Sequence, residues 1–283
     1  MFFSGIADEA GKPLEAQIRA HKELGWNHIE MRNVNATTLA YATDAEFDAI
    51  RRDLDKAGLQ VSCFASQIAN WSRDVQGPFE KDVEELSKAI PRMKAMNTPF
   101  IRIMSYANKN NTDKAEWRRV ALERLKEMTR MAEDGGITLV HENCDGWAGT
   151  SPEATLDMLA EINSPAMKLV FDTGNPVHHK QDAWDFYIKV KPHVIYIHIK
   201  DAVPEGEKYR HTWPGEGDGS VLRILTDLLG GGYDGGISIE PHIAAVVHLD
   251  TTSDADRLYK SYTEYGRRLV KIVEDVKAEI GKK

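Results

Sequence analysis

Short apolar runs alternate with longer stretches of helical periodicity along the chain. The runs are FFSGIA (2–7), HIEMR (28–32), LQVSCFAS (59–66), FIRIMS (100–105), ITLVHEN (137–143), KLVFDT (168–173), VIYIHIK (194–200) and GISIEP (236–241). Each is rich in β-branched or aromatic residues and bounded by Gly, Pro or Asn, the pattern of strands buried on both faces of a parallel sheet. Between them, LEAQIRAHKEL (14–24) brings Leu14, Ile18 and Leu24 near one face, and 115–133 carries Trp117, Val120, Leu125, Met128 and Ala132 at helical spacing. Gly25, Gly58, Gly135 and Gly230 stand where helices should stop. Ser151-Pro152 opens a helix, and Asp44 and Asp113 suit N-caps.

Eight strand–helix units without a linker predict one (β/α)8 TIM barrel, a single domain over residues 1–283. A doubly wound open sheet is the competing α/β arrangement. It brings a glycine-rich phosphate turn after its first strand. Here that position holds ADEAGKP, and the glycine cluster LGGGYDGG falls before the last strand, where it reads as a tight helix-to-strand turn.

Charge then narrows the function classes. Lys and Arg total 36 against 44 Asp and Glu, a net charge of −8, which opposes a nucleic-acid backbone as partner. The two cysteines, Cys63 and Cys144, are far apart and in no C-x-x-C pair, so they read as free thiols in a reducing compartment. No run approaches a membrane span, and the N-terminal residues lack a basic segment leading into a long apolar one. A cytoplasmic protein with no membrane partner is expected, as a possible homo-oligomer.

Catalytic groups of a TIM barrel stand at the C-terminal ends of its strands. The fifth run ends in His141-Glu142-Asn143, the sixth in Phe171-Asp172-Thr173, the seventh in His198-Ile199-Lys200-Asp201 and the eighth in Glu240-Pro241-His242. Three carboxylates gathered at one barrel mouth repel and raise one another's pKa. A dication among them removes the conflict. Glu142, Asp172, His198 and Glu240 are therefore the expected metal ligands. Their mixed O/N donor set suits Mn2+ first, with Mg2+, Co2+ or Zn2+ as alternatives. Such a centre suits a hydroxy-ketone passing through a metal-stabilised enediolate. One acidic residue at a strand end is ordinarily a cap or an ion-pair partner, but four consecutive strands ending this way favour a metal.

At HEN (141–143), FDTGN (171–175), HIKD (198–201) and IEPH (239–242) the sequence resembles the xylose-isomerase-like TIM-barrel superfamily, the sugar phosphate isomerases/epimerases, over nearly its whole length. The resemblance implies one divalent metal on Glu142, Asp172, His198 and Glu240, with Glu142 and Glu240 as acid and base on a small sugar. HIKDA (198–202) and PGEGDG (214–219) resemble members acting on keto-sugars, among them 3-keto-glycoside deglycosidases, which implies β-elimination as the alternative reaction. NCDGWAG (143–149) departs from their pattern. The apurinic endonuclease branch has further histidines that this chain lacks; Asn175 stands where one would be. A non-catalytic barrel is the remaining alternative.

The residues around the quartet each have two readings. Lys200 shares a strand face with His198, and either polarises a carbonyl or pairs with a carboxylate. His141 is a candidate base, although alternation turns it from the barrel axis. His242, Asn175, Arg102, Trp147 and Glu216 are candidate substrate contacts. Glu30 and Arg32 either hold substrate or brace the barrel as a pair. Trp147 and Trp213 either stack on a sugar or close the pocket, and the loop 201–219 is either a lid or an ordered Ω-loop.

Overall fold

The computed structural model describes residues 1–246, 251–252 and 254–282. The eight runs become eight parallel strands: β1 (Phe2–Gly5), β2 (His28–Met31), β3 (Gln60–Ala65), β4 (Phe100–Ser105), β5 (Thr138–Gly146), β6 (Met167–Asp172), β7 (Val194–Ile199) and β8 (Gly236–Ile239). Neighbours in sequence are neighbours in the sheet, β8 pairs with β1, and a parallel bridge between Ile6 and Glu30 joins the β1 and β2 edges. This cyclic order is a barrel and excludes the doubly wound sheet. The helices of two turns or more are α1 (Leu14–Glu23), α2 (Asp44–Ala57), α3 (Glu80–Ala95), α4 (Lys114–Gly135), α5 (Pro152–Ile162), α6 (Ala183–Val190), α7 (Val221–Gly230) and α8 (Ala255–Ile280), with a single helical turn at Asn175–His178 after β6. Among the described residues no helix is long and apolar enough to cross a membrane.

Local signals act mostly where the sequence puts them. Asp113 caps α4 by accepting from the N–H groups of Ala115 and Glu116, and Ser151 caps α5 with Pro152 as its first residue. Three positions shift by one residue, Gly230 among them: it is the last residue of α7, and Gly231 follows as its cap. Thr43, not Asp44, caps α2, in a reciprocal box with Glu46. Gly136, with φ +64°, ends α4, while Gly135 is its last helical residue.

Strand alternation sorts the side chains into two environments. Ile101, Ile103, Leu139, Leu169, Phe171, Ile197 and Ile199 join the main core shared with the helices. The other strand face fills the barrel in layers. Phe2, Cys63, Phe100, Val140, Val170 and Tyr196 form an apolar plug. Above it, Ser62 Oγ lies 2.9 Å from both Ser4 Oγ and the Tyr196 hydroxyl. Two residues beyond Val140, Val170 and Tyr196 come Glu142, Asp172 and His198. Period two thus places ionic groups directly over an apolar floor.

Candidate metal centre and active site

Glu142, Asp172, His198 and Glu240 are all buried, and one ligand atom from each lies within 4.8 Å of the others. The donor set fits a hard or borderline dication. Two oxygens strengthen the fit. Glu142 Oε2 and Asp172 Oδ2 are buried without a hydrogen bond, although Arg102 Nη1 and Lys200 Nζ each approach to 3.2 Å.

Each ligand is oriented from behind. Asp172 Oδ1 accepts from the N–H groups of Gly174 (2.9 Å) and Asn175 (2.7 Å), which turns Oδ2 toward the centre. The Asn143 side chain clamps the Asp172 backbone, donating to its C=O at 2.9 Å and accepting from its N–H at 2.7 Å. Glu30 lies 3.1 Å from His198 Nε2 through both oxygens and accepts from Ser238 Oγ at 2.6 Å. A proton held on Nε2 by Glu30 leaves Nδ1, 3.4 Å from Glu142 Oε1, as the nitrogen facing the other ligands.

The electrostatics are uneven. Burial pushes the Asp172 carboxyl up to about 6; Lys200 opposes this, and Glu142 and Glu240 add to it. Glu142 is buried as well, but Arg102 and the His198 hydrogen bond outweigh burial and hold it down at about 2. His198 is lifted to about 10, its own burial being outweighed by Glu30 and Glu142. Lys200 Nζ sits 2.8 Å from Glu240 Oε2 and 3.2 Å from Asp172 Oδ2, so its ammonium already bridges two of the ligands. Its stem passes over Gly174, where a Cβ would lie 2.8 Å from Lys200 Cγ.

Other candidates divide into those at the pocket and those away from it. Arg102, Asn175, Lys200 and His242 line the same cavity of about 330 Å³ as Glu142 and Glu240. Asn175 donates to Glu142 Oε1 at 3.3 Å. His141 stands in register with Ile103 and Leu169 on the outer strand face, so the structure removes it from the site; burial lowers its pKa to about 4. Trp147 is packed in the core rather than against the pocket, and Glu216 pairs with Arg268 of α8 at 2.7 Å. Neither lines the cavity. Trp213 packs beneath the same helix, with the Arg268 guanidinium 4.4 Å from its ring. The Glu30–Arg32 brace is replaced by separate partners for each residue: Glu30 holds His198, while Arg32 pairs with Asp8 (2.9 Å), Glu9 (3.4 Å) and Glu240 (3.2 Å). Both cysteines are free; burial raises the Cys63 thiol, and desolvation with the nearby Glu142 and Asp145 carboxylates raises that of Cys144, which is half-buried and lines the cavity.

Several functional positions escaped sequence reasoning. Glu9, in the turn after β1, accepts from the His242 N–H at 2.8 Å and lies 2.8 Å from its Nδ1. His242 has φ +52°, a strained conformation fixed by this contact. The loop 201–219 has internal structure of its own. It folds as a hairpin, Ala202–Glu205 with Lys208–His211, followed by a glycine turn tied to Asp201. The hairpin's Tyr209 stacks on His178 at 3.5 Å, and both line the cavity. Trp71, 38% exposed, forms part of the rim. Only Asn143 had a visible signal, its place in the HEN motif.

Comparison with known proteins agrees with this architecture. Residues 18–261 match the family described as xylose isomerase-like TIM barrel. The 2-epi-5-epi-valiolone 7-phosphate 2-epimerase of Actinoplanes sp. is 28% identical over 188 residues, which are 64% of this chain and 64% of that protein, so the match spans just under two thirds of the relative. Fructoselysine 3-epimerase of Shigella flexneri is 24% identical over 243 residues, 81% of this chain and 85% of the relative. Inosose dehydratases are also among the relatives. The fold is shared with the IOLI protein crystallised with a zinc atom, at TM-score 0.77 and 14% identity, over 98% of this chain and 99% of that one.

Proposed function

The chain belongs to the xylose isomerase-like TIM-barrel family, and we propose that it is a divalent-metal-dependent epimerase or isomerase of a small sugar or keto-sugar. The observation that carries this reading is the buried quartet of Glu142, Asp172, His198 and Glu240, whose ligand atoms lie within 4.8 Å of one another. A dication held there supplies Lewis acidity beside a substrate carbonyl. Manganese is the first metal to test, given three carboxylates and one imidazole.

Glu142 and Glu240 are the acid–base pair. One takes the proton from the carbon next to the carbonyl, and the other, or the same one, returns it. Return to the opposite face is epimerisation, and return to the neighbouring carbon is isomerisation. Arg102 holds Glu142 from behind, and Arg32 and Lys200 hold Glu240, so each carboxylate keeps its aim. Lys200 brings an ammonium proton donor to the cavity wall beside Asp172 and Glu240. That proton also supports a second reading, elimination of a hydroxyl or glycosyl group β to the carbonyl, in line with the dehydratase relatives.

The test is a panel of ketoses and keto-glycosides in D2O, with chelator-stripped enzyme and with enzyme reloaded with Mn2+. Metal-dependent deuterium at carbon is the expected result. Glu142→Gln and Glu240→Gln should each lower it by about 10²–10⁴-fold, the usual weight of an acid–base group. Product without deuterium replaces proton transfer by a hydride shift. Exchange that survives in both variants sinks the assignment.

A further inference from the structure

The metal quartet comes from the ends of β5 to β8. In the cyclic strand order β3 stands opposite β7, and the segment that follows β3 lines the same cavity with Ser66, Gln67, Asn70 and Trp71. This segment lies outside the sheet ladder, so its backbone groups need partners elsewhere. Two come from α3. Gln67 N–H donates to Glu85 Oε1 at 3.0 Å, and Ala69 N–H donates to Asp82 Oδ1 at 2.9 Å. Arg73, farther along the segment, donates to Asp82 Oδ1 at 2.7 Å and to Glu85 Oε2. The other edge is pinned to β4 and the residue after it. Met104 N–H donates to the Ile68 C=O at 3.2 Å, and Tyr106 N–H donates to the Ala69 C=O at 2.7 Å. Between these ties Ala69 is held at φ +54°, a left-handed conformation that a residue with a Cβ rarely adopts.

The two acids are out of place on their helix. Asp82, Glu85, Leu86, Ala89 and Met93 are the buried residues of α3, at the spacing that calls for apolar side chains. Burial pushes both carboxyl groups up, against the pull of Arg73 and of the loop N–H groups. An apolar pair would serve packing between helix and barrel at least as well. What it could not do is hold the segment. Each carboxylate takes one loop N–H and one arm of the Arg73 guanidinium, so the two ends of the turn are fastened to the same pair of acids.

We propose that Asp82, Glu85 and Arg73 are positioning residues for substrate specificity: they form a clasp behind the segment after β3 and fix Gln67, Asn70 and Trp71 as the wall that reads the part of the substrate beyond the metal. This rests on the keto-sugar reading above and adds what sets the wall opposite β7. None of the three clasp residues lines the cavity, so the clasp acts through the segment and not on the metal quartet. A substrate short enough to stay at the metal does not meet this wall. A longer one extends its remaining carbons against it.

The test sets short substrates against long ones. Glu85→Gln keeps an oxygen for the Gln67 N–H but loses the charge that faces Arg73. Arg73→Lys keeps a charge but puts one ammonium where a guanidinium bridged two carboxylates. On the Mn2+-loaded enzyme, deuterium exchange at carbon is followed with dihydroxyacetone, whose three carbons stay at the metal, and with D-fructose and D-tagatose, which reach beyond it. Each variant is expected to lose about tenfold in kcat/KM on the two ketohexoses, through KM with kcat kept. Exchange into dihydroxyacetone, and manganese affinity in calorimetry, are expected to match the native protein. Equal losses on short and long substrates overturn the inference, and so does no loss on either. Native enzyme that exchanges neither ketohexose overturns the sugar reading instead, and amide hydrogen exchange then decides the clasp. The Gln67 and Ala69 amides are expected to exchange about tenfold faster in the variants than in the native protein, while β5 and β6 keep their protection. Protection unchanged at Gln67 and Ala69, or lost evenly through the barrel, overturns the clasp. If one variant fails to fold, the other decides.

Discussion

Lys200 and Glu30 do opposite things to the same centre. The Lys200 ammonium, 2.8 Å from Glu240 and 3.2 Å from Asp172, competes with any cation those carboxylates would bind. Lys200→Met keeps the stem over Gly174 and removes the charge. It should tighten manganese binding in calorimetry while turnover drops by about 10²-fold or more, because the proton donor is lost. Weaker metal binding in this variant would show that Lys200 supports the ligands rather than competing with the metal. Glu30 works the other way, since its hydrogen bond fixes the His198 tautomer and raises the ring's basicity. Glu30→Gln is expected to cost about 10–100-fold in metal affinity, the usual effect of losing a ligand's partner. An unchanged affinity would mean that packing alone orients His198.

At the scale of elements, strand ends are tied to one another by side chains rather than by the sheet ladder alone. Asn143 on β5 clamps Asp172 at the end of β6, and Thr173 reaches Lys200 just past β7, donating to its C=O at 2.6 Å and accepting from its N–H at 3.1 Å. Asn143→Ala leaves a buried N–H and C=O of Asp172 without these partners, at a cost of about 1–3 kcal/mol. Metal affinity should fall with it, because Asp172 Oδ2 loses its aim. Thr43→Ala is the matched control. It removes the α2 cap for about 1 kcal/mol far from the site. Denaturant titration should show both variants destabilised, and calorimetry should show weakened metal binding in Asn143→Ala alone. Metal binding that falls equally in both would reduce the clamp to general stability.

For the whole molecule, a dication at the quartet would compete with protons for one barrel mouth. In the metal-free protein Asp172 is lifted above its ordinary range to about 6, and His198 to about 10. Both raised values mean that the folded form holds protons the unfolded chain releases. Their contribution to stability is therefore full below the unfolded values and is lost as pH rises through about 6 for Asp172 and about 10 for His198. A bound dication replaces those protons. At fixed Mn2+ the rise in Tm should thus grow with pH across this window as Kd falls, and where the metal stands at a hundredfold excess over Kd the stabilisation should be about 2.7 kcal/mol. A metal-induced shift independent of pH would place the metal away from Asp172 and His198.

The contrast between His141 and Glu142 marks how far the sequence could be read. Adjacent on one strand, they separate because alternation sends one to the helices and the other to the axis, and that rule was available from the run ITLVHEN alone. The same rule, applied to four runs, made the metal quartet legible. Trp147 and Glu216 went astray because a loop residue's direction follows no period, so only its packing reveals whether it meets the pocket. Glu9 and Asp201 could not be assigned for a related reason. Glu9 meets His242 across 233 positions of chain, and Asp201 meets three glycines through backbone N–H groups that carry no residue-specific signature.

Periodicity by itself determined the eight strands, the barrel and the four inward ionic groups at its mouth. These follow from local geometry repeated along the chain. Tertiary structure alone decided which carboxylate answers which cation, where Lys200 rests and what fills the glycine turn. Those outcomes depend on distances between strands remote in sequence, and burial makes each one carry weight, because a charge removed from water must find its partner nearby.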